Sequence, residues 1–266
     1  MSKKRLIIYV SSPDSYSDIF KVFLKCYKKY WADCPYEFVL STNSLCYEGI
    51  RTLRNYKQND TWTERTIAAL KQIDSEYILL MNDDFFITDY VDSAKIEHIL
   101  DLMDKYDLMY CKLAKNAKGI PVEKGCNLLR VNKRQPYGKN LQVGIFRKEY
   151  FEGILGNGEK SAWDLEKEWL KETLDAPNEY FENITASSEI IIDTVHGVAK
   201  GMWFPSALKK LKSLQIEVDS QRGILSKSEE NKMNIISYVG KRCSPRLRYN
   251  IKKLLTKFGM KFTTEN

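Results

Sequence analysis

Short unbroken apolar runs alternate along this chain with longer stretches whose apolar residues recur every three or four positions. Residues 5–12 (Arg-Leu-Ile-Ile-Tyr-Val-Ser-Ser) form the first run, too short for a helix and stopped by Pro13 and Asp14, so a buried strand is predicted. Ile19, Val22, Phe23, Cys26, Tyr27 and Tyr30 then follow helical spacing up to Asp33-Cys34-Pro35. Residues 36–40 predict a second strand, which delivers Ser41, Thr42 and Asn43 to the same edge as Ser11 and Ser12. Thr61-Trp62-Thr63-Glu64 has the spacing of a capping box and opens a helix to about Gln72. Strand, helix, strand in this order is the start of a doubly wound α/β sheet.

The next run, Tyr77 to Met81, reads as a strand buried on both faces, and it ends in Asn82-Asp83-Asp84-Phe85-Phe86. In open α/β sheets substrates bind beyond the carboxyl ends of the strands. Adjacent carboxylates there repel each other unless a cation neutralises them, and hard oxygens suit Mg²⁺ or Mn²⁺. The alternative is a solvated turn at Asp83 and Asp84.

Residues 93–105 predict a helix with Ile96, Ile99, Leu100 and Met103 inward, and residues 108–113 another strand. Residues 114–139, rich in Lys, Gly, Asn and Pro with little periodicity, predict a long loop. That loop is the expected boundary between a first half (residues 1–113) and a second half (114–238) of one domain. In the second half, residues 141–146 predict a strand and 148–155 a short helix broken at Gly156-Asn157-Gly158.

On the helix begun by Ser161-Ala162-Trp163-Asp164-Leu165-Glu166, Trp163, Leu170 and Leu174 form one apolar stripe and Leu165 with Trp169 a second. Glu166 falls between the stripes. An inward carboxylate needs a partner or a raised pKa, so Glu166 is either a general base or one half of a salt bridge. Asp164 falls among charged residues, where Ser161-x-x-Asp164 also reads as a cap, which makes it the second candidate. Residues 190–195 form a strand-like run interrupted by Asp193, followed by His196-Gly197-Val198-Ala199-Lys200-Gly201. His196 is a metal ligand or a structural histidine; His98 lies on a helix face. Arg65, beside Trp62 near a helix N-terminus, is placed for a phosphate or for the surface.

Composition narrows these readings. Hydrophobic content of 43% with 12% aromatics excludes a disordered chain. The six cysteines show no CxxC pairing, so reduced thiols and a cytoplasmic setting are expected, and neither a secretory leader nor a spanning segment is recognised in the sequence. The net charge is +7, and residues 239–266 alone hold eight Lys or Arg against one acid, so the excess sits in this tail. Nucleic-acid binding across the body is thereby disfavoured. Leu247, Ile251, Leu254, Leu255 and Phe258 share one helical face, which predicts a helix either docked on the body or lying on an anionic membrane through residues 239–261.

Taken together, Tyr30-Trp31-Ala32-Asp33-Cys34-Pro35-Tyr36 with Ser41-Thr42-Asn43, Thr61-Trp62-Thr63-Glu64-Arg65, the Asp-Asp-Phe-Phe turn, Trp163-Asp164-Leu165-Glu166 and Gly201-Met202-Trp203 resemble small bacterial GT-A glycosyltransferases of surface-polysaccharide clusters. The resemblance implies a GT-A-like, mostly parallel sheet with helices on both faces. It implies a nucleotide-sugar donor, a UDP-sugar foremost, held by Ser11, Ser12, Asn43, Trp62, Arg65, Asn82, Asp83 and Lys200. A DXD-like site for Mn²⁺ or Mg²⁺ would be formed by Asp84 and Asp83 with His196, though Asn82 stands where a strict motif has Asp, which leaves open whether Asp84 binds alone. Glu166 or Asp164 would be the carboxylate base toward a glycan or lipid-linked glycan acceptor. Two rivals share this fold class. One is a nucleotidyltransferase, which needs a Gly- and Lys-rich loop where this chain has Pro13-Asp14-Ser15. The other is a non-catalytic carbohydrate- or membrane-binding protein.

Overall fold

A computed structural model describes residues 3–54, 57, 60–113 and 118–242. The elements in order are β1 (Lys4–Ser11), α1 (Ser17–Tyr30), β2 (Glu37–Ser41), β3 (Arg51–Leu53), α2 (Trp62–Leu70), β4 (Ser75–Asn82), β5 (Phe85–Ile87), α3 (Ser93–Lys105), β6 (Tyr110–Lys112), β7 (Ile120–Pro121), β8 (Leu128–Asn132) and β9 (Gly144–Arg147). They continue as α4 (Lys148–Leu155), α5 (Ala162–Asp175), β10 (Tyr180–Ser187), β11 (Thr194–His196), β12 (Val198–Ala199), β13 (Met202–Trp203), α6 (Pro205–Ser213) and α7 (Lys227–Arg242).

One sheet of nine strands runs β3-β2-β1-β4-β9-β6-β10-β8-β7. Its first four strands are mutually parallel, β9 runs against both β4 and β6, and β10 is parallel to β6 and antiparallel to β8. The chain first walks outward from β1 through β2 to β3, then returns to the other side of β1 with β4. The strand order therefore reverses between β1 and β4, and a crevice opens beyond their carboxyl ends.

Period-two alternation sends the strand side chains to two separate cores. Leu6, Ile8, Val10, Tyr77, Leu79 and Met81 meet Phe20 and Phe23 of α1 and Ile96 and Leu100 of α3. Ile7, Tyr9, Ile78 and Leu80 meet Leu70 of α2, Phe151 of α4 and Trp169 of α5. Helices thus cover both faces, which is why β1 and β4 carry continuous apolar runs rather than alternating ones.

Three expectations need correction. The stretch 114–139 is no featureless loop, because it holds β7 and β8 at the far edge of the sheet. Trp163 does not line an inward stripe: it is 55% exposed, and the buried side of α5 is Leu165, Trp169 and Thr173. Residues 190–193 are not a strand; β11 begins only at Thr194, where it pairs antiparallel with β5. Residues 243–266, including the predicted amphipathic tail helix, lie outside the described residues, as do residues 114–117. Among the described residues no helix is long and apolar enough to cross a membrane, and Cys26, Cys34, Cys46, Cys111 and Cys126 are free thiols.

Candidate active site

The crevice between β1 and β4 is built from four loops. β1 ends at Ser11, whose register partners are Ser41 of β2 and Asn82 of β4, so these three polar residues stand in one row at the sheet's carboxyl edge. Just beyond it, the Ser12 hydroxyl donates to Asp83 Oδ2 at 2.5 Å, and both residues are buried. Burial first, and the neighbouring Asp84 charge second, push the Asp83 carboxyl well above the usual range, against the opposing pull of Ser12 and of Arg222.

Asp84 faces the other way and meets His196, with Nε2 3.1 Å from Oδ2. The two residues are 112 positions apart, and the local fold explains their meeting. Immediately after the acidic turn the chain re-enters as β5, which pairs with β11 so that His196 is opposite Phe85. The rings of Phe85 and His196 stack at 4.5 Å, and the backbone N–H of Gly197 donates to the Asp84 carbonyl at 2.7 Å. Position 197 must be glycine for steric reasons: a Cβ there would lie 2.1 Å from the buried Phe86 ring.

On the β2 side of the crevice, Asp14 is the organising residue, and nothing beyond its loop position marked it in the sequence. Its carboxylate accepts from the backbone N–H groups of Asn43 and Ser44 and from the Ser44 hydroxyl, while its own N–H donates to the Asn43 side chain at 3.1 Å. These bonds hold its pKa below the ordinary carboxylate value. Asn43 is thus fixed in position by the β1–α1 loop. Beneath the edge, the buried Tyr9 phenol is in reach of the Ser11, Ser41 and Thr66 hydroxyls and feels the Arg65 charge, which puts Arg65 on the α2 side of the same edge. Trp62 packs against the α2-side core. Thr61 and Glu64 form a complete capping box, so Glu64 is occupied as the sequence indicated.

A fourth wall comes from the segment after α6. Arg222 grips both carboxylate oxygens of Asp18 at 2.8 and 2.9 Å, donates to the Ser15 carbonyl and stacks 4.4 Å over Tyr16. Ser220 donates to Asp18 at 2.5 Å and accepts from the Trp203 indole at 3.0 Å. The charges of Asp83 and Asp84 reach the Tyr16 phenol, and that of Asp83 reaches Tyr47. Tyr16, Asp18 and Arg222 thus form one contact cluster that ties the β1–α1 connection to the segment after α6, although they sit in segments with no motif. Lys200 occupies the tip of the hairpin joining β12 and β13; with Gly201 it takes positive φ values of 53° and 74°, the geometry of a tight two-residue turn. Its exposed charge is felt by Glu229.

Glu166 lies on α5, whose buried Leu165 and Trp169 belong to the core on the α2 and α4 side of the sheet. Its carboxylate accepts from the Leu141 backbone N–H at 2.8 Å, and three residues later Gly144 enters β9 beside Leu80 of β4. Burial raises its pKa, partly opposed by that N–H and by the Lys112 charge. Asp164 is exposed and engaged locally: Ser161 donates to it at 2.6 Å and Lys167 lies 3.2 Å away, which lowers its pKa. Of the two candidate carboxylates, Asp164 and Glu166, only Glu166 has the inward setting of a base.

Asp83, Asp84 and His196 were tested as a cation site. Adjacent carboxylates with an imidazole on one of them are of the oxygen and nitrogen donor type that Mn²⁺ accepts, with carboxylate oxygens also suiting Mg²⁺. Among the described residues no three His, Cys, Asp or Glu side chains come together to hold a metal ion, so Asp83, Asp84 and His196 do not form a three-residue site, and an ion at Asp84 would take its remaining ligands from a bound phosphate or from water.

No protein-family model and no curated protein matches this chain. Among solved structures, S. aureus TarS 1-349 in complex with UDP is similar at a TM-score of 0.47 and 16% identity, over 71% of this chain and 59% of that one. The CMP:2-keto-3-deoxy-manno-octonic acid synthetase complexed with CTP gives 0.43 at 13% identity, over 80% and 98% of the two chains. A putative nucleotide-diphospho-sugar transferase from Desulfovibrio desulfuricans gives 0.35 at 12%, over 64% and 77%. This chain spans 59% of the TarS fragment, and similarities at this level carry no residue role across.

Proposed function

We propose that this chain is a glycosyltransferase that moves a sugar from a nucleotide-sugar donor, a UDP-sugar foremost, to a glycan or lipid-linked glycan acceptor in surface polysaccharide synthesis. One observation carries the reading: the paired carboxylates Asp83 and Asp84 stand at the point where strand order reverses, with the Ser12 hydroxyl on Asp83 and the Asn82 amide at the end of the same strand. The nucleotide side of the donor lies along Ser11, Asn43 and the Asp14-pinned loop, with Arg65 beneath. Asp84, the accessible carboxylate of the pair, would hold the divalent ion with His196 beside it, and the bound ion would neutralise the charge of the diphosphate.

Transfer then needs little more than a base and a fixed acceptor. Glu166 takes the proton from the acceptor hydroxyl, whose oxygen forms the new bond to the anomeric carbon while the bond to the departing nucleoside diphosphate breaks. Burial keeps Glu166 basic enough for that task, and its bond to the Leu141 N–H fixes the direction of the carboxylate. Arg222, close enough to Asp83 to act on its charge, holds the Tyr16 loop against the donor.

The test is a thermal-shift screen of nucleotide sugars with Mn²⁺, followed by assay of nucleoside diphosphate release without acceptor. Stabilisation by one donor class together with slow release is the expected result. Stabilisation with no release under any condition would support the non-catalytic reading, and release of pyrophosphate from a nucleoside triphosphate would support a nucleotidyltransferase.

A further inference from the structure

A second concavity lies away from the acidic turn, between the β8–β9 loop, α5 and the start of β10. It encloses 160 Å³, with Lys133, Gln135 and Lys139 on the loop side and Trp169, Glu172 and Phe181 opposite. A cavity of about 150 Å³ accommodates one six-membered ring.

The walls are fixed. Gln135 N–H donates to the Asn132 carbonyl, Gly138 N–H to the Gln135 carbonyl, and Arg134 Nε to the Ala176 carbonyl at the end of α5. Gly138 packs so closely that a Cβ there would lie 2.4 Å from Val131. The loop is therefore a built wall rather than a loose connection.

Its chemistry is mixed in a specific way. Lys139 Nζ lies 5.4 Å from the Trp169 ring centre and 5.7 Å from that of Phe181, and 3.0 Å from Glu172. The Lys139 side chain is only 18% exposed, whereas its partner Glu172 is 59% exposed. Lys133 repeats the pattern with Glu179, at 32% against 60%. In both pairs the cation is held in the wall and the carboxylate is in water, where it is free to rotate away at little cost. The lining thus carries two cations, Lys133 and Lys139, against one carboxylate, Glu172, beside aromatic surface suited to the apolar face of a sugar ring.

We propose that this pocket binds a pyranose ring bearing a carboxylate, an acidic sugar unit. Lys139 and Lys133 take the carboxylate, Trp169 and Phe181 flank the ring, and Gln135 bonds a hydroxyl. The pocket lies on the helix of Glu166, with Trp169 one turn further along, and Lys139 is two residues from the Leu141 N–H that Glu166 accepts. On the transferase reading, and resting on it, the pocket selects an acceptor with an acidic unit next to the accepting one.

The full chain is titrated with D-glucuronate, D-glucose and inorganic phosphate, followed by indole fluorescence and by calorimetry. Glucuronate should saturate a fluorescence change, with glucose and phosphate each about tenfold weaker or more. Lys139→Gln should remove the preference for glucuronate over glucose, and Lys28→Gln, at an exposed residue of α1 on the other face of the sheet, should not. Trp169→Phe should keep the calorimetric signal and lose the optical one. Equal binding of glucose, equal binding of phosphate, or an unchanged Lys139→Gln variant would each overturn the assignment. Nucleoside diphosphate release, measured on the same proteins, reads the other site: its absence would overturn the transferase reading while leaving glucuronate binding to stand or fall separately.

Discussion

Asp83 and Asp84 are neighbours in sequence and opposites in surroundings. Asp83 is buried against Ser12, while Asp84 is half-buried against His196. Removing the more accessible carboxylate should therefore act on ligand binding more than on folding. Asp84→Ala is expected to abolish transfer and Mn²⁺-dependent nucleotide binding with an unchanged melting temperature, by calorimetry with and without Mn²⁺; full activity in EDTA would remove the ion from the reaction. Glu166→Gln keeps an oxygen for the Leu141 N–H but takes away the basicity, so kcat should fall by about 10²-fold or more while donor binding stays within about twofold. The same variant carries a pH signature. The pKa of Glu166 is higher in the fold than its ordinary 4.5, so its contribution to stability is fully present below that value and is lost as pH rises through the folded value. The melting temperature of Glu166→Gln relative to the parent should accordingly rise with pH across this window. A difference independent of pH would mean that Glu166 is not held in a desolvated setting. Asp164→Asn, at an exposed cap, should change turnover little.

At the scale of elements, legibility followed the strength of local signals. The helix at 93–105 was readable to the residue because Asp92 caps it and a full apolar stripe runs its length, and the Thr61 capping box was readable because four residues suffice to make one. β8 and β10 were not readable: they lie near the sheet edge, with partly exposed and polar residues such as Arg130 and Glu182, so no apolar run marks them. The inward side of α5 was misread because Trp163 and Leu165 are both apolar, and only the neighbouring loop at 133–141 decides which is covered. In the site, Asn82 to Asp84 and Glu166 were visible from strand and helix patterns, whereas Asp14, Tyr16 and Arg222 depend on contacts between distant segments. The β5–β11 pair is the element on which the site's geometry depends most. Gly197→Ala would push a methyl group into Phe86, displacing β11 and His196 from Asp84. It is expected to cost about 1–3 kcal/mol by denaturant unfolding, with loss of Mn²⁺-dependent binding. Thr61→Ala should cost about 1 kcal/mol and leave that binding intact.

Over the whole molecule, charge is the feature that the folded body does not use up. The excess of +7 lies beyond residue 238, and the described part of α7 fixes where that charge hangs from. Ser206 donates to the buried Glu230 and Met233 packs beside Phe204 and Leu225, so the helix is anchored at its start, and Ile235 is 62% exposed. A basic segment that follows a docked helix in sequence, on a body with no net charge, suits attachment to an anionic bilayer. Each cation near such a surface contributes about 1 kcal/mol, and the attraction is screened by salt. An enzyme whose acceptor is lipid-linked would gain from being held there, and the apolar positions Leu247, Ile251, Leu254 and Leu255 would add burial to the electrostatic term. The intact chain is therefore expected to co-sediment with vesicles containing anionic lipid at low salt, to leave them at high salt, and to ignore neutral vesicles. Deleting residues 243–266 should abolish co-sedimentation while leaving the melting temperature and nucleotide binding unchanged. If the truncated chain sediments as well as the intact one, the tail is not the membrane contact. If instead truncation lowers the melting temperature, the apolar face is packed on the body, and the cations serve only to keep that helix soluble.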